Sequence, residues 1–323
     1  MCVIYLLSQD VHVQKDHERL ILLRGEEKVA SVPLYEVHSV IATKSAHLTT
    51  PLLFSLMERE IPVFYVNGRG ELLGTCGAEF LRLDHQLAQQ EAFRDEPRRQ
   101  AFVHDIVSQK ITHQRALLQA YASRRKSETL ATQAKKLKAL LTSAAHASDE
   151  DALRGVEGTA ARVYFSAFSE ILGNKFTWKG RQQHPAREPV NALLNYGYEF
   201  LERDIRIAIL GSGLDSRIGC FHTDSDRRDS LVYDLMEPYR PSVIDRFVLK
   251  LLNYGTLTPE QFEKTSRSCR LTEEARTIWC EKYEAFLEKP SKSFDGMSPR
   301  ALIRKEIHAF AQRVFHRDDE KIA

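Results

Sequence analysis

The hydrophobic pattern of this chain changes near residue 85, and that change limits the available folds more than any single motif does. Upstream, short runs rich in β-branched residues alternate with polar turns at 24–26 and 67–70, which indicates strands. Downstream, apolar residues recur every three or four positions, as between 153 and 167, which indicates amphipathic helices. We therefore predict an α+β fold of two domains, which also suits a length of 323 residues.

The predicted N-terminal β domain spans residues 1–86, and the larger, all-α domain spans residues 101–323. Residues 87–100 are polar and charged and contain Pro97, so we predict a linker there. One helix interrupts the β domain at Thr50 and Pro51, because threonine suits an N-cap and proline suits the first helical position. Strands are predicted at 3–7, 11–14, 19–23, 29–33, 37–41, 63–66 and 72–76. In the second domain, helices are predicted near 102–121, 126–141, 153–167, 189–210, 229–237, 241–253, 259–265, 271–288 and 298–315.

The composition indicates where the protein is located better than it indicates what the protein does. The formal net charge is +2, from 46 basic and 44 acidic residues, so DNA binding would depend on local segregation of charge. No run of about 18 apolar residues could cross a bilayer, and the apolar start lacks the basic leader of a secretion signal. The five cysteines are scattered and form no CxxC pair, which argues against a disulfide framework and a structural zinc site. We expect a cytoplasmic protein without a membrane partner.

Glu157 is the first candidate for chemistry. It lies beside the apolar stripe of a predicted helix and precedes Gly158. A glycine inside a helix costs about 1 kcal/mol relative to alanine, so Gly158 suggests the close approach of another group. The structural alternative is a carboxylate at the helix border that pairs with Arg154 or Arg162.

His222 is the second candidate, because it ends an apolar, strand-like run and precedes a short acidic segment. A lone histidine in that position is more often structural than a ligand. A calcium loop is a weak alternative, since the central glycine and the closing glutamate are absent from the segment. Helix capping by Asp226 or Asp229 explains these carboxylates better.

Asp234 and Glu237 form the third candidate. Their spacing of three places both on one helix face, where two carboxylates repel unless a metal cation or Arg240 lies between them. Pro238 cannot continue the helical hydrogen bonds, so we predict a kink that turns Glu237 in another direction. A histidine with two or three carboxylates favours Mg2+ or Mn2+ over zinc, and these ions serve phosphoryl transfer.

Five ordered motifs in the second domain and two segments in the first carry a family resemblance. They are EG at 157–158 with AR at 161–162 and Tyr164, NALLNYGY at 191–198, GLD at 213–215, GCFH at 219–222, YDLMEPYRP at 233–241, TTP at 49–51 and GRG at 68–70. With these motifs, essentially the whole chain resembles the CRISPR-associated integrases of spacer acquisition.

The resemblance implies a metal-dependent DNA endonuclease and integrase, in which a 3′-hydroxyl of captured foreign DNA attacks the edge of a CRISPR repeat by transesterification. It implies that Glu157, His222 and Glu237 hold the Mg2+ or Mn2+ ion and that Asp234 supports the catalytic site. It also implies a homodimer, formed through the N-terminal β domain, and a complex with a small ferredoxin-like adaptation protein.

A basic loop before the motif at 191–198 is a candidate for DNA binding, because basic residues neutralise phosphates and aromatic residues stack on splayed bases. Trp178 and His184 are interleaved with its basic residues. The basic residues of this loop are Lys175, Lys179, Arg181 and Arg187. An ordinary solvated loop is the alternative.

Two other functions fit the same residues. One is a stand-alone nuclease for branched or single-stranded DNA, in which water replaces the attacking 3′-hydroxyl. The other is a non-catalytic scaffold that bridges DNA, in which the acidic cluster is only a structural ion pair.

Overall fold

The chain divides into two compact units, Met1–Phe80 and Leu81–Ala323. The computed structural model describes residues 2–6, 11–67, 70–77, 83–173, 176–182, 185–222 and 229–316. The first unit consists mainly of strands and the second mainly of helices. This architecture confirms the predicted α+β class with an N-terminal β domain.

Among its described residues, the first unit has two four-stranded sheets, one α-helix and a 3-10 turn at Leu34–Glu36. Its elements are β1 (Cys2–Leu6), β2 (Val11–Asp16), β3 (Arg19–Arg24), β4 (Glu27–Pro33), β5 (Val37–Thr43), β6 (Ala46–Leu48), α1 (Thr50–Glu58), β7 (Val63–Val66) and β8 (Leu72–Cys76). One sheet has the order β1-β5-β7-β8 and the other β4-β3-β2-β6. Alternating apolar residues of both sheets, such as Val13 and Val40, form one core with Leu52 and Leu56 of α1.

The elements described in the second unit are helices and one short hairpin, so the prediction of an all-α domain is wrong in that detail. Its elements are α2 (Leu83–Arg94), α3 (Glu96–Arg125), α4 (Glu128–Ala145), α5 (Glu150–Ser166), α6 (Phe168–Leu172), α7 (Pro189–Gly211), α8 (Ser230–Met236), α9 (Arg246–Asn253), β9 (Phe262–Lys264), β10 (Cys269–Leu271), α10 (Glu273–Glu288) and α11 (Pro299–Phe315). Helix α7 is buried on nearly all sides, which marks it as the centre of this unit.

Residues 87–100 do not form the predicted linker. They lie in α2 and at the start of α3, and the boundary between the units falls earlier, at 80/81. Gln89 is fully buried and donates to the carbonyl oxygens of Asp215 and Ile218 at 3.0 and 2.8 Å. Some polar side chains of this segment form hydrogen bonds inside the unit. Hydropathy alone does not distinguish such buried polar residues from the solvated residues of a linker.

The predicted break at Pro238 is confirmed. Helix α8 ends at Met236, and a π-helical segment, Arg240–Asp245, follows before α9. Proline cannot supply the backbone N–H that would continue α8, and single π-helical turns often lie at functional sites.

The described part of the chain contains no helix that combines the length and apolarity needed to span a bilayer.

Candidate functional site

Glu157 points from α5 toward α3, where the Lys110 ammonium donates a hydrogen bond to its Oε1 atom. The partners expected from the sequence are engaged elsewhere: Arg154 binds Glu150, and Arg162 donates to a neighbouring threonine hydroxyl. The side chain of Glu157 is only 24% exposed. The alternative that Glu157 pairs with Arg154 or Arg162 is therefore wrong, because its partner comes from another helix.

Glu237 reaches the same ammonium from the C-terminal end of α8. Its Oε2 atom lies 2.5 Å from Lys110 Nζ, and its Oε1 atom lies 3.0 Å from Arg240 Nε. The Oε2 atom is buried and makes no hydrogen bond of regular geometry. Two glutamates that are eighty positions apart in the sequence thus converge on one cation.

The local charges determine the ionisation of this cluster. Burial would raise the pKa of Glu237, but Arg240 and Lys110 outweigh burial and hold that pKa at about 2. Burial would lower the pKa of the Lys110 amine, but Glu237 and Glu157 raise it above its ordinary value. Glu237 and Lys110 are therefore both charged at neutral pH.

Asp234 fixes the turn that carries His222. Its Oδ2 atom accepts hydrogen bonds from the backbone N–H groups of Cys220 and Phe221 at 2.7 and 3.0 Å. Its Oδ1 atom accepts from the backbone N–H of His222 at 2.9 Å and lies 2.7 Å from the Nδ1 atom of that imidazole. Asp234 is completely buried, so it positions His222 rather than contacting a substrate.

The contact with Asp234 also sets the chemistry of the imidazole. When Nδ1 carries the proton and donates to Asp234, the lone pair of Nε2 is left for another partner. The side chain of His222 is 43% exposed, so that partner can arrive from solvent. The hydrogen bond to Asp234 raises the pKa of His222 against the effect of burial, and Glu237 and Glu157 raise it further. Both glutamates therefore lie within electrostatic reach of the imidazole.

Gly219 is the glycine at which this site requires close approach. A Cβ atom there would lie 2.6 Å from Ser230 Cβ and 2.8 Å from Asp234 Oδ2. Gly158, which the sequence suggested for that role, has open space around it. The expectation for Gly158 is wrong, because the tight contact lies in the turn before His222.

Two arginines hold the carbonyl side of the same turn. Arg99 of α3 donates to the carbonyl oxygen of Cys220 at 3.4 Å. Arg154 of α5 donates to the carbonyl oxygen of Phe221 at 2.5 Å, and its guanidinium lies 4.4 Å from the centre of the Phe221 ring. The turn is thus bonded to α3, α5 and α8, which fixes the position of His222.

The cluster contains the kinds of side chain that bind divalent cations, but not at ligand spacing. No three His, Cys, Asp or Glu side chains of the described residues are close enough together to hold a metal ion as they stand. The Lys110 ammonium lies between two of the predicted ligands, and Glu237 Oε2 is buried without a regular hydrogen bond. Two carboxylates and one imidazole suit Mg2+ or Mn2+.

The acidic segment after His222 lies largely outside the described residues, Asp226 included. Asp229 occupies the N-cap position of α8 but makes no capping hydrogen bond. Its carboxylate accepts hydrogen bonds from Arg206 and from the Ser216 hydroxyl instead. The predicted capping by Asp229 is therefore wrong.

The basic loop presents part of the predicted DNA-binding set to solvent. Lys179 and Arg187 are exposed, whereas Lys175 and His184 lie outside the described residues. Arg181 is half-buried and donates to Asn191 Oδ1 at 3.0 Å, so it also holds the loop together.

Trp178 does not present its ring as a free stacking platform. The ring packs 5.1 Å from that of Phe168, and its Nε1 atom donates to the carbonyl oxygen of Phe165 at 3.0 Å. The predicted base-stacking role for Trp178 therefore lacks support in this arrangement.

Comparison with known proteins identifies one family. The sequence matches the family model described as CRISPR associated protein Cas1 over residues 4–285. The CRISPR-associated endonuclease Cas1 1 of Thermus thermophilus is 33% identical over 273 residues, which cover 84% of this chain and 82% of that protein. A CRISPR-associated exonuclease Cas4/endonuclease Cas1 fusion of Rhodospirillum rubrum is 34% identical over 85% of this chain. The chain spans about half the length of that fusion, 48%.

Solved structures show the same similarity. A Cas1 protein from Thermotoga maritima superimposes with a TM-score of 0.83 at 25% identity, covering 98% of both chains. A chain of a Cas6-RT-Cas1–Cas2 complex superimposes with a TM-score of 0.80 at 25% identity. That alignment covers 97% of this chain and 34% of the other.

Proposed function

The chain belongs to the Cas1 family of CRISPR-associated proteins, and on that premise we propose that it is a metal-dependent DNA endonuclease and integrase. Its reaction is the insertion of captured foreign DNA into a CRISPR array by phosphodiester transesterification. The observation that carries the proposal is the convergence of Glu157 and Glu237 on one cationic centre, within electrostatic reach of His222.

Glu157, His222 and Glu237 would hold Mg2+ or Mn2+, which when bound supplies a Lewis acid for the scissile phosphate and the attacking hydroxyl. Asp234 would keep the proton of His222 on Nδ1, which would leave Nε2 to bind the ion. Arg240 neutralises one oxygen of Glu237 and keeps that carboxylate ionised. Arg99 and Arg154 hold the turn still by bonding its carbonyl groups.

The partners follow from the same family. We propose DNA as the substrate, with Lys179 and Arg187 as exposed contacts to phosphate and the half-buried Arg181 in a supporting position. Lys175 stays a candidate from the sequence alone. We also propose a homodimer formed through the N-terminal unit, and a complex with a small ferredoxin-like protein. The similarity to a chain of a Cas6-RT-Cas1–Cas2 complex supports an assembly with a partner. A cytoplasmic location agrees with five cysteines that are free thiols.

The test is strand transfer into a plasmid that carries a CRISPR repeat. The protein, with its partner, is incubated with a labelled duplex bearing free 3′-hydroxyls and with Mg2+ or Mn2+. Glu157→Ala and His222→Ala should each reduce strand transfer by at least about 100-fold, because each removes a metal ligand that stabilises transition-state charge. Circular dichroism checks that both variants remain folded.

Asp151→Asn is the matched control, because Asp151 is an exposed carboxylate of the same helix as Glu157. It should transfer strands at the wild-type rate. Wild-type strand transfer by Glu157→Ala at equal metal would show that the ligand assignment is wrong. Cleavage of branched DNA without strand transfer would favour the stand-alone nuclease.

A DNA-bridging scaffold without catalysis is the second candidate. The ion pairs of Lys110 with Glu157 and Glu237 favour it, because they already neutralise the two glutamates. DNA binding that is independent of metal, together with no cleavage and no strand transfer by the wild type, would support this function instead.

A further inference from the structure

Lys110 is the one member of the cluster that the proposed chemistry does not use. It lies on α3, and its ammonium contacts a glutamate of α5 on one side and a glutamate at the end of α8 on the other. Its side chain is only 12% exposed, and that of Glu237 is 11% exposed. This lysine is therefore a buried cation, although its position on a long polar helix resembles that of a surface charge.

The place that Lys110 occupies is the place where a metal ion must bind. An ion shared by Glu157 and Glu237 has to lie between their carboxylates, and the Nζ atom lies there now. A lysine ammonium is a compact point charge, so it can neutralise two carboxylates much as a small cation does. Removal of such a charge from a buried pair is costly unless another cation replaces it.

The charges of the cluster show why the two cations exclude one another. The carboxylates of Glu157 and Glu237 are balanced by Lys110 and Arg240. A divalent ion added beside an unmoved Lys110 would bring the cluster, with Arg240, to four positive charges against two carboxylates in a poorly solvated site. Such charges repel strongly there, so the ion binds only if the ammonium moves away.

We propose that Lys110 is an internal counter-cation, which occupies the position between Glu157 and Glu237 in the metal-free protein and is displaced when the divalent ion binds. This inference rests on the proposed function, since it concerns the same two glutamates. Lys110 weakens metal binding by competition and keeps the metal-free protein folded by neutralising the site.

The first test measures Mn2+ binding without DNA, by electron paramagnetic resonance of the free ion and by titration calorimetry. Lys110→Met keeps the length of the side chain and removes its charge. It should bind Mn2+ at least about tenfold more tightly than the wild type, because the ion no longer displaces a charge at contact distance. Lys110→Arg retains the charge and should bind Mn2+ as weakly as the wild type does.

Arg115→Met is the matched control for net charge, since it removes one positive charge five residues further along the same helix. Its Mn2+ affinity should stay within about twofold of the wild type, because Arg115 is only partly buried and solvent and salt screen a charge outside the cluster. An equal gain in Arg115→Met and Lys110→Met would overturn the proposal, because the gain would then reflect net charge and not occupancy of the site.

The second test uses the wild-type chain and does not depend on the folding of a variant. Lysines are acylated with and without saturating Mg2+, and the modified positions are mapped by mass spectrometry. Lys110 should be protected in the metal-free protein and become several-fold more reactive with Mg2+, because displacement breaks its ion pairs. Lys136, an exposed residue of α4, should react equally in both samples.

The outcomes separate this inference from the proposed function. If neither the wild type nor Lys110→Met binds Mn2+, the metal site itself fails, and the inference fails with it. If Glu157→Gln abolishes Mn2+ binding but Lys110→Met binds like the wild type and Lys110 stays unreactive, only the counter-cation role fails.

Discussion

At the scale of single residues, Asp234 concentrates the most interactions in the site. One buried carboxylate accepts from three consecutive backbone N–H groups and contacts the imidazole of the third residue. Hydrogen bonds to an ionised acceptor are stronger than neutral ones, and together they order the turn before any ligand arrives. The aspartate thus positions the predicted ligand without itself reaching the substrate.

Asp234→Asn should therefore destabilise the protein and impair catalysis together. The amide nitrogen cannot accept, so at least one buried donor of the turn loses its partner. We expect the free energy of unfolding to fall by roughly 2 to 3 kcal/mol. Strand transfer should fall at least about tenfold, because the proton of His222 is no longer held on Nδ1. Urea denaturation and the strand-transfer assay measure the two effects, and wild-type values in both would contradict this role for Asp234.

The sequence revealed only some of the residues in the site. Local sequence makes Glu157, His222 and Glu237 separate candidates, and only the family resemblance joins them as ligands of one metal ion. Lys110 carried no signal, because a lysine on a polar helix has the pattern of a solvated charge and its partners lie 47 and 127 positions away. Asp234 was placed on the same face as Glu237, but the break before Pro238 lets the two carboxylates meet different partners.

At the scale of secondary-structure elements, a buried carboxylate connects three of them. Asp245 ends the π-helical segment and accepts hydrogen bonds from the hydroxyls of Tyr164 on α5 and Tyr198 on α7, at 2.8 and 2.7 Å. Burial raises the pKa of Asp245 to about 6 from its ordinary 3.8, although both tyrosine hydrogen bonds lower it. The helix of Glu157 is thereby joined to the segment that follows Glu237.

The raised pKa of Asp245 predicts that the free energy of unfolding depends on pH. The folded chain retains the proton of Asp245 up to about pH 6, while the unfolded chain loses it near 3.8. The contribution of Asp245 to the free energy of unfolding is complete below pH 3.8, the pKa in the unfolded chain. It is lost as the pH rises through about 6, the pKa in the folded chain. Between pH 4 and pH 7, the unfolding free energy of the wild type should fall relative to Asp245→Asn by up to about 3 kcal/mol.

Urea denaturation at several pH values measures this difference for Asp245→Asn. The exposed Asp151→Asn should keep a constant offset from the wild type over the same range. A constant offset for Asp245→Asn as well would mean that Asp245 titrates at an ordinary pH in the folded protein.

Local pattern predicted the elements well where one helical period continues over many residues. The predicted helix at 189–210 corresponds to α7, and that at 298–315 corresponds to α11. The helix predicted at 259–265 was wrong, since a capping box at Thr258 starts one 3-10 turn and β9 then pairs with β10. Strand β6 was missed, because its three residues are ordered by parallel pairing with β2, which sequence periodicity does not encode.

At the scale of the whole molecule, the two units differ in what they contribute. Every side chain of the candidate site belongs to the larger unit, and the smaller unit has a hydrophobic core of its own. The hydrophobic pattern changes near residue 85 because strands and helices bury side chains with different periods, and the units divide close by, at 80/81. The predicted helical domain, 101–323, starts later than the larger unit and omits α2. The role of the smaller unit in dimerisation stays a prediction.

Calorimetry of the full chain should show two unfolding transitions, one for each core. Mn2+ at about one hundred times its dissociation constant should raise the transition of the larger unit by roughly 5 to 10 °C and leave the other unchanged. Chelation of the metal should reverse the shift, and Glu157→Gln should abolish it. A single transition that moves as a whole would show that the units unfold together.

Hydrogen bonds to backbone N–H and carbonyl groups hold the turn before His222, and this affects how distant relatives can be recognised. Every residue except proline has the backbone N–H that these bonds use, so they constrain the identities at 220 and 221 little, although the Phe221 ring also packs against the imidazole. The hydrogen bonds to Asp234 require a glycine, a histidine three positions later and an aspartate twelve beyond that. A search for this sparse signature should find diverged proteins that whole-sequence identity no longer connects.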